Sequence, residues 1–148
     1  MRDSAHLDWP RVVATGALWT LVYNLIWGIA WFTFMRAEWE VAFAAVKRTS
    51  LWTGEVWFGW VLITVPLGVT IAAYSAGQRH TMRAGVLAAV VLCVLMTVGM
   101  FGWGMDQSFS LRVMALDSIV NLLAMLSASV LAGWSQRHLA PHSSNIVL

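Results

Sequence analysis

Apolar residues run through the chain in four long blocks, and the short segments between them collect almost all of the charge. The blocks extend over roughly Val12 to Met35, Val56 to Ala76, Ala84 to Met105 and Val113 to Trp134, and the first has 24 residues without Asp, Glu, Lys or Arg. At about 1.5 Å of rise per residue, each is long enough to cross about 30 Å of hydrocarbon as a helix. The pattern predicts an all-α polytopic membrane protein, with four transmembrane helices forming one bundle domain over residues 1–148. An even number of spans places both termini on one side. The first block is too long for the apolar region of a signal peptide, so it reads as a retained span.

Between the first two blocks, "AEWEVAFAAVKRTSLWTGE" changes period. Trp39, Phe43 and Val46 share a helical face, while Glu40, Lys47 and Arg48 point elsewhere. Acidic residues at its start and basic ones at its end suit the helix dipole. This segment predicts a short interfacial helix between spans 1 and 2.

Within the spans, the few polar residues fall on definite faces. In span 4, Asp117, Asn121, Ala124, Ala128 and Ser135 recur at spacings of four, three, four and seven, with Ala132 beside them. Small residues let helix backbones approach in lipid, where packing and interhelical hydrogen bonds take over from the hydrophobic drive, so this stripe faces protein. Span 1 places Gly16, Thr20, Tyr23, Asn24, Trp27 and Trp31 on one side, and Leu18, Val22, Leu25, Ile29 and Phe32 on a lipid side. Near the outer end of span 3, Gly99, Gly102 and Gly104 offer a close approach for a neighbour or a place for the helix to open. Most of the ten tryptophans, including Trp9, Trp39, Trp52, Trp57, Trp103 and Trp134, sit near span ends as an interfacial belt does. Trp27 does not, and its indole N–H needs an acceptor that lipid cannot supply. Pro66 interrupts span 2 at mid-depth, level with Asn24, Thr97 and Asn121, which together predict a polar layer there.

Composition agrees with the pattern: 59% of residues are hydrophobic, 11% are charged, and mean hydropathy is +0.71. The nine Lys and Arg are scattered at block ends and leave no basic footprint for nucleic acid. Arg2, Arg11, Arg79, Arg83 and Arg137 lie on the terminal side, against Arg36, Lys47, Arg48 and Arg112 on the other. The positive-inside rule therefore favours cytoplasmic termini.

Chemistry is sparse. All four histidines lie outside the spans, and no nucleophile with its base, paired carboxylates or metal-ligand constellation is legible, so the chain reads as non-enzymatic and without a cofactor. Cys93, Met96 and Met100 share one face of span 3 and would suit a soft metal ion, although methionine at helical spacing is ordinary packing material. Asp117 stands out. An ionisable group inside a span costs at least about 2.5 kcal/mol on insertion scales. It is a structural carboxyl bonded to neighbouring helices, a protonatable group on a water-filled path, or a shallow charge about 9 Å from mid-span that is met by headgroup water or Arg112.

The opening "GALW" (Gly16 to Trp19) with "IWGIAWF", and the closing "LDSIVNLLAMLSASVLAGW", resemble the first and last helices of a family of bacterial four-helix membrane proteins described as a domain of unknown function. The resemblance covers spans 1 and 4. It implies a bacterial membrane protein and brings no activity or cofactor with it; the expected location is the bacterial inner membrane.

Taken together, these features lead to the expectation of an accessory or structural subunit in the lipid bilayer, associating through its helix faces with other membrane subunits or a second copy. Two alternatives stay open. One is a small carrier or channel, with Asp117, Asn121, Asn24, Tyr23, Trp27 and Trp31 along a proton or solute path. The other is a binder of a lipophilic ligand, such as a quinone or pigment, on a Trp-lined inner face.

Overall fold

The computed structural model describes residues 7–47, 54–78 and 80–138. All the elements among them are helical: α1 (Trp9–Ala30), a π-helical turn (Trp31–Met35), α2 (Arg36–Ala45), α3 (Gly54–Ala76), α4 (Thr81–Asp106) and α5 (Leu111–His138). Four helical runs are long and apolar enough to cross a membrane, the first being the continuous stretch Trp9–Ala45. Arg2, Arg48, Trp52, Arg79 and the tail from residue 139 lie outside the described residues.

Local chemistry sets the helix ends. Asp8 caps α1 by accepting from the Arg11 backbone N–H at 3.4 Å, and Pro10 occupies the first turn, where its missing N–H costs nothing. Ser110 Oγ accepts from the Val113 N–H at 3.4 Å as α5 begins, and Arg137 and His138 stand at its negative end. Between α4 and α5 the chain reverses through Ser108, whose φ is 62°.

The most central helix is α5. Half of its most apolar window (50%) is buried within the chain, against 17% for α4, so α4 is the helix most surrounded by lipid. α1 packs on α3 and α5, and α4 leans on α5 from the other side. Ala124, Ala128 and Ala132 are buried along the inner face of α5, whereas Leu25, Ile29 and Phe32 of α1 are exposed.

The spacing of small residues misled in two places. Ser135 is only half-buried, and Gln136 takes the inward position in its stead, donating to Thr15 Oγ1 at 3.1 Å and to the Ala72 carbonyl at 3.0 Å. Gly99 and Gly102 lie on the exposed face of α4, with nothing within 4 Å of where a Cβ would stand. The close approach on α4 is at Gly104, against Met114 of α5.

The tightest seam joins α1 to α3 at two glycines. A Cβ on Gly16 would stand 2.7 Å from Val69 Cα, and one on Gly68 would stand 2.6 Å from both the Gly16 carbonyl oxygen and Thr20 Oγ1. Because the backbones touch there, side-chain hydrogen bonds can cross the seam. Thr20 Oγ1 donates to the Thr64 carbonyl at 3.1 Å, and Asn24 Nδ2 donates to Thr64 Oγ1 at 2.8 Å.

The helix anticipated ahead of span 2 is α2, and it runs on from α1 through the π turn. Trp19, Tyr23, Trp27, Trp31, Met35, Trp39 and Phe43 are all buried at a constant spacing of four. In a 3.6-residue helix, a step of four advances a face by about 40°, so six such steps would carry the stripe most of the way round. The wider π turn, closed from the Arg36 N–H to the Trp31 carbonyl, rewinds that drift and keeps Trp39 and Phe43 on the bundle side. They pack on Phe109 with ring centroids at 5.4 and 5.0 Å. The amphipathic face of α2 is thus turned to the protein's own interior.

Across the same end, Arg112 donates to Glu38 at 2.7 Å, and Arg36 pairs with Glu40 within α2. Both pairs are exposed, so Glu38→Gln is expected to change stability in detergent by less than about 1 kcal/mol. A larger loss on chemical denaturation would show that the Arg112 contact, and not the aromatic packing, holds α2 down.

Candidate functional site

A cavity of about 430 Å³ lies in the half of the bundle away from the termini. Every crossing run contributes to it. Trp27 comes from α1, Trp39 and Phe43 from α2, Val56 and Trp60 from α3, and Met96, Thr97, Met100 and Trp103 from α4. α5 supplies Asp117, Ser118 and Asn121. Near the tight α3–α4 turn those two helices approach closely, with the Ser75 hydroxyl 3.0 Å from a Cβ on Gly85. At the other end the cavity lies between them, and the exposed Val56 and Trp103 mark its edge.

Aromatic rings form two groups around it. Trp27 stacks on Trp31 at 5.4 Å, meets Trp57 edge to face at 5.0 Å and lies tilted against Trp60 at 6.1 Å. Trp39, Phe43 and Trp103 gather round Phe109. Ring pairs in such offset and edge-to-face arrangements contribute about 0.5–1.5 kcal/mol each beyond their buried area, which stiffens the walls.

The polar floor is a relay of hydrogen bonds. The Tyr23 hydroxyl donates to Asn121 Oδ1 at 2.5 Å, and Asn121 Nδ2 donates to Asp117 Oδ2 at 2.8 Å. The tyrosine therefore fixes which way the amide points, and the amide holds the carboxyl. Tyr23 is held in turn by stacking on Trp19, whose indole donates to Ser129 Oγ at 2.9 Å. The buried indole N–H groups of Trp39 and Trp60 have no hydrogen-bond partner among the described residues. Trp39 approaches the Asp117 carboxyl, and Trp60 the Tyr23 hydroxyl, without completing a bond to either.

The fold brings Asp117, Asn121 and Trp27 to the cavity, with Tyr23 directly behind Asn121. It does not bring Asn24 or Trp31 there. Asn24 is committed to Thr64 on the α3 side of α1, and Trp31 stacks between Trp27 and the edge of Trp57. Arg112, at the exposed end of α5, is paired with Glu38 and does not meet Asp117. The proposed soft-ion face also divides. Met96 and Met100 line the cavity, whereas Cys93 borders a shallow groove between α4 and α5 with Val94 and Leu122. A helical face about 100° wide had spread its members between two separate spaces.

Sequence reasoning missed Trp39 and Trp60 as cavity residues, assigning the first to the membrane surface. The signal was present: Trp39 continues the strict spacing of four from Trp19, and Trp60 lies one helical turn, four and three residues, past Val56 and Trp57. Gln136 and Ser129 were missed as well, since a stripe built from small residues passes over a long amide.

No protein-family model, curated protein or solved structure matches the chain.

Proposed function

We propose that this is a membrane-embedded binding protein for a lipophilic small molecule, held in the aromatic cavity between α2, α3, α4 and α5. The observation that carries this reading is the cavity itself: about 430 Å³, walled by rings and methionines, with Asp117, Ser118 and Asn121 of α5 and Thr97 of α4 as its few polar groups. Small-molecule sites commonly have about 300–1,000 Å³, a mostly apolar lining and a few placed polar groups. The accessory-subunit reading loses its main motivation, because the small-residue stripe of α5 is spent on contacts within the chain. Non-enzymatic binding in a bacterial inner membrane, with both termini in the cytoplasm, completes the proposal. In that orientation the cavity lies in the outer half of the bilayer.

The neutral fluorophore 1-aminoanthracene tests this in detergent. Energy transfer from the cavity tryptophans is expected to saturate at one probe per chain in the wild type and to vanish in Ser118→Phe, whose ring would occupy the space. Equal, unsaturable transfer in both proteins would mean that the probe reads only the micelle, and would end the proposal.

A further inference from the structure

We propose that the ligand of this cavity is a lipophilic organic cation, an amine or quaternary ammonium on an apolar body, with the Asp117 carboxylate as its counter-charge. The inference rests on the ligand-binding reading above and names the class of ligand.

Charge is the first consideration. Asp117 is 6% exposed and borders the cavity, and among the described residues no lysine, arginine or histidine lines that space. Arg112, the cation closest to it in sequence, is committed outside to Glu38, and Arg36 is committed to Glu40. Among the described residues, then, no cation of the protein shares that space with the carboxylate. An acid buried in lipid without a cationic partner is costly, and a cationic ligand removes that cost as it binds.

The second consideration is where the donors point. A quinone or other carbonyl ligand needs N–H or O–H groups aimed into empty space. Here the Asn121 amide donates to Asp117, and the Ser118 hydroxyl donates to the Met114 carbonyl. The two unpaired indoles are turned toward Asp117 and Tyr23. The amide serves the carboxylate directly and the indoles lie beside it and its relay, an arrangement that favours negative charge at Asp117 over a carbonyl in the cavity. The third consideration is the walls. Indole faces attract cations through the ring quadrupole, most strongly where water is excluded, and Trp27, Trp39, Trp60 and Trp103, from four different elements, line the cavity that the carboxylate borders.

Two ions of nearly equal size and opposite charge provide the test: tetraphenylphosphonium and tetraphenylborate, each competing against 1-aminoanthracene. The cation is expected to displace the probe at a concentration at least about tenfold lower than the anion, once micelle partitioning measured with Ser118→Phe is subtracted. Asp117→Asn keeps the shape and is expected to lose the preference for the cation, read as the ratio of the two displacing concentrations, and Asp117→Glu is expected to restore it. Equal displacement by the two ions in the wild type would overturn the cationic class and leave the ligand cavity standing. A preference that persists in Asp117→Asn would overturn the role of the carboxylate. Absence of saturable probe binding in the wild type would bring down the ligand-binding reading, and this inference with it.

Discussion

Gly68→Val is expected to abolish the folded monomer in mild detergent, whereas Gly99→Val and Gly102→Val leave it unchanged. At Gly68 the new Cβ would meet a backbone carbonyl at 2.6 Å, and the opposing residue is Gly16, itself pressed on Val69. Neither atom is the far end of a flexible side chain, so only a separation of α1 from α3 relieves the clash. Separation would also break the Thr20 and Asn24 hydrogen bonds to Thr64. Overpacking in a tight interior costs about 1–3 kcal/mol and occasionally more, and a clash with backbone belongs at the upper end. Gly99 and Gly102 also lie within a long apolar helix, yet a side chain there enters open space. Size-exclusion profiles and thermal unfolding of the three variants separate the cases. A monodisperse, heat-stable Gly68→Val would show that the seam between α1 and α3 does not hold the bundle together.

The second large effect is expected at Asn121. Its amide is the middle of the relay, so Asn121→Leu removes the acceptor of the Tyr23 hydroxyl and the donor to Asp117 in one step. Interhelical hydrogen bonds in membrane proteins are worth only about 0.6 kcal/mol on average. Leaving buried partners unmade costs more, about 1–3 kcal/mol for each neutral group and more for a charge. Asn121→Leu should therefore destabilise the protein by about 3 kcal/mol in a denaturant titration. Tyr23→Phe, which deletes only the outer donor and keeps the Asn121–Asp117 bond, should cost about 1 kcal/mol. The double variant should be no worse than Asn121→Leu alone, because once the amide is gone the hydroxyl has no partner to lose. Full additivity would mean that Tyr23 and Asn121 act independently and that the relay has no structural role.

Much of the architecture is legible in the hydrophobic pattern, since a chain in lipid must satisfy its backbone within each segment and reveals its spans by their length. The inward turn of Asp117, Asn121 and the alanines of α5 follows from helical spacing alone. Glycines are less legible, because a missing side chain carries no direction: Gly68 is buried in the tightest seam while Gly99 and Gly102 face outward, and all three occupy apolar helix interiors. Tryptophan is ambiguous for a different reason. Trp39, next to a charged segment, satisfies the rule for interfacial belts, yet its neighbours at spacings of four mark it as an interior residue once the π turn is known.

By itself the sequence determined the four spans, the common side of the termini, and the presence of one carboxylate on an inward face, because span length, parity and helical period are properties of the chain taken in order. Only the tertiary structure decided that α2 folds onto the bundle, that Asn24 and Asp117 serve different seams, and that rings from four elements enclose a space above the Asp117 carboxyl. Those outcomes depend on where helices distant in sequence come to lie, and on a single widened turn that keeps Trp39 and Phe43 facing the bundle.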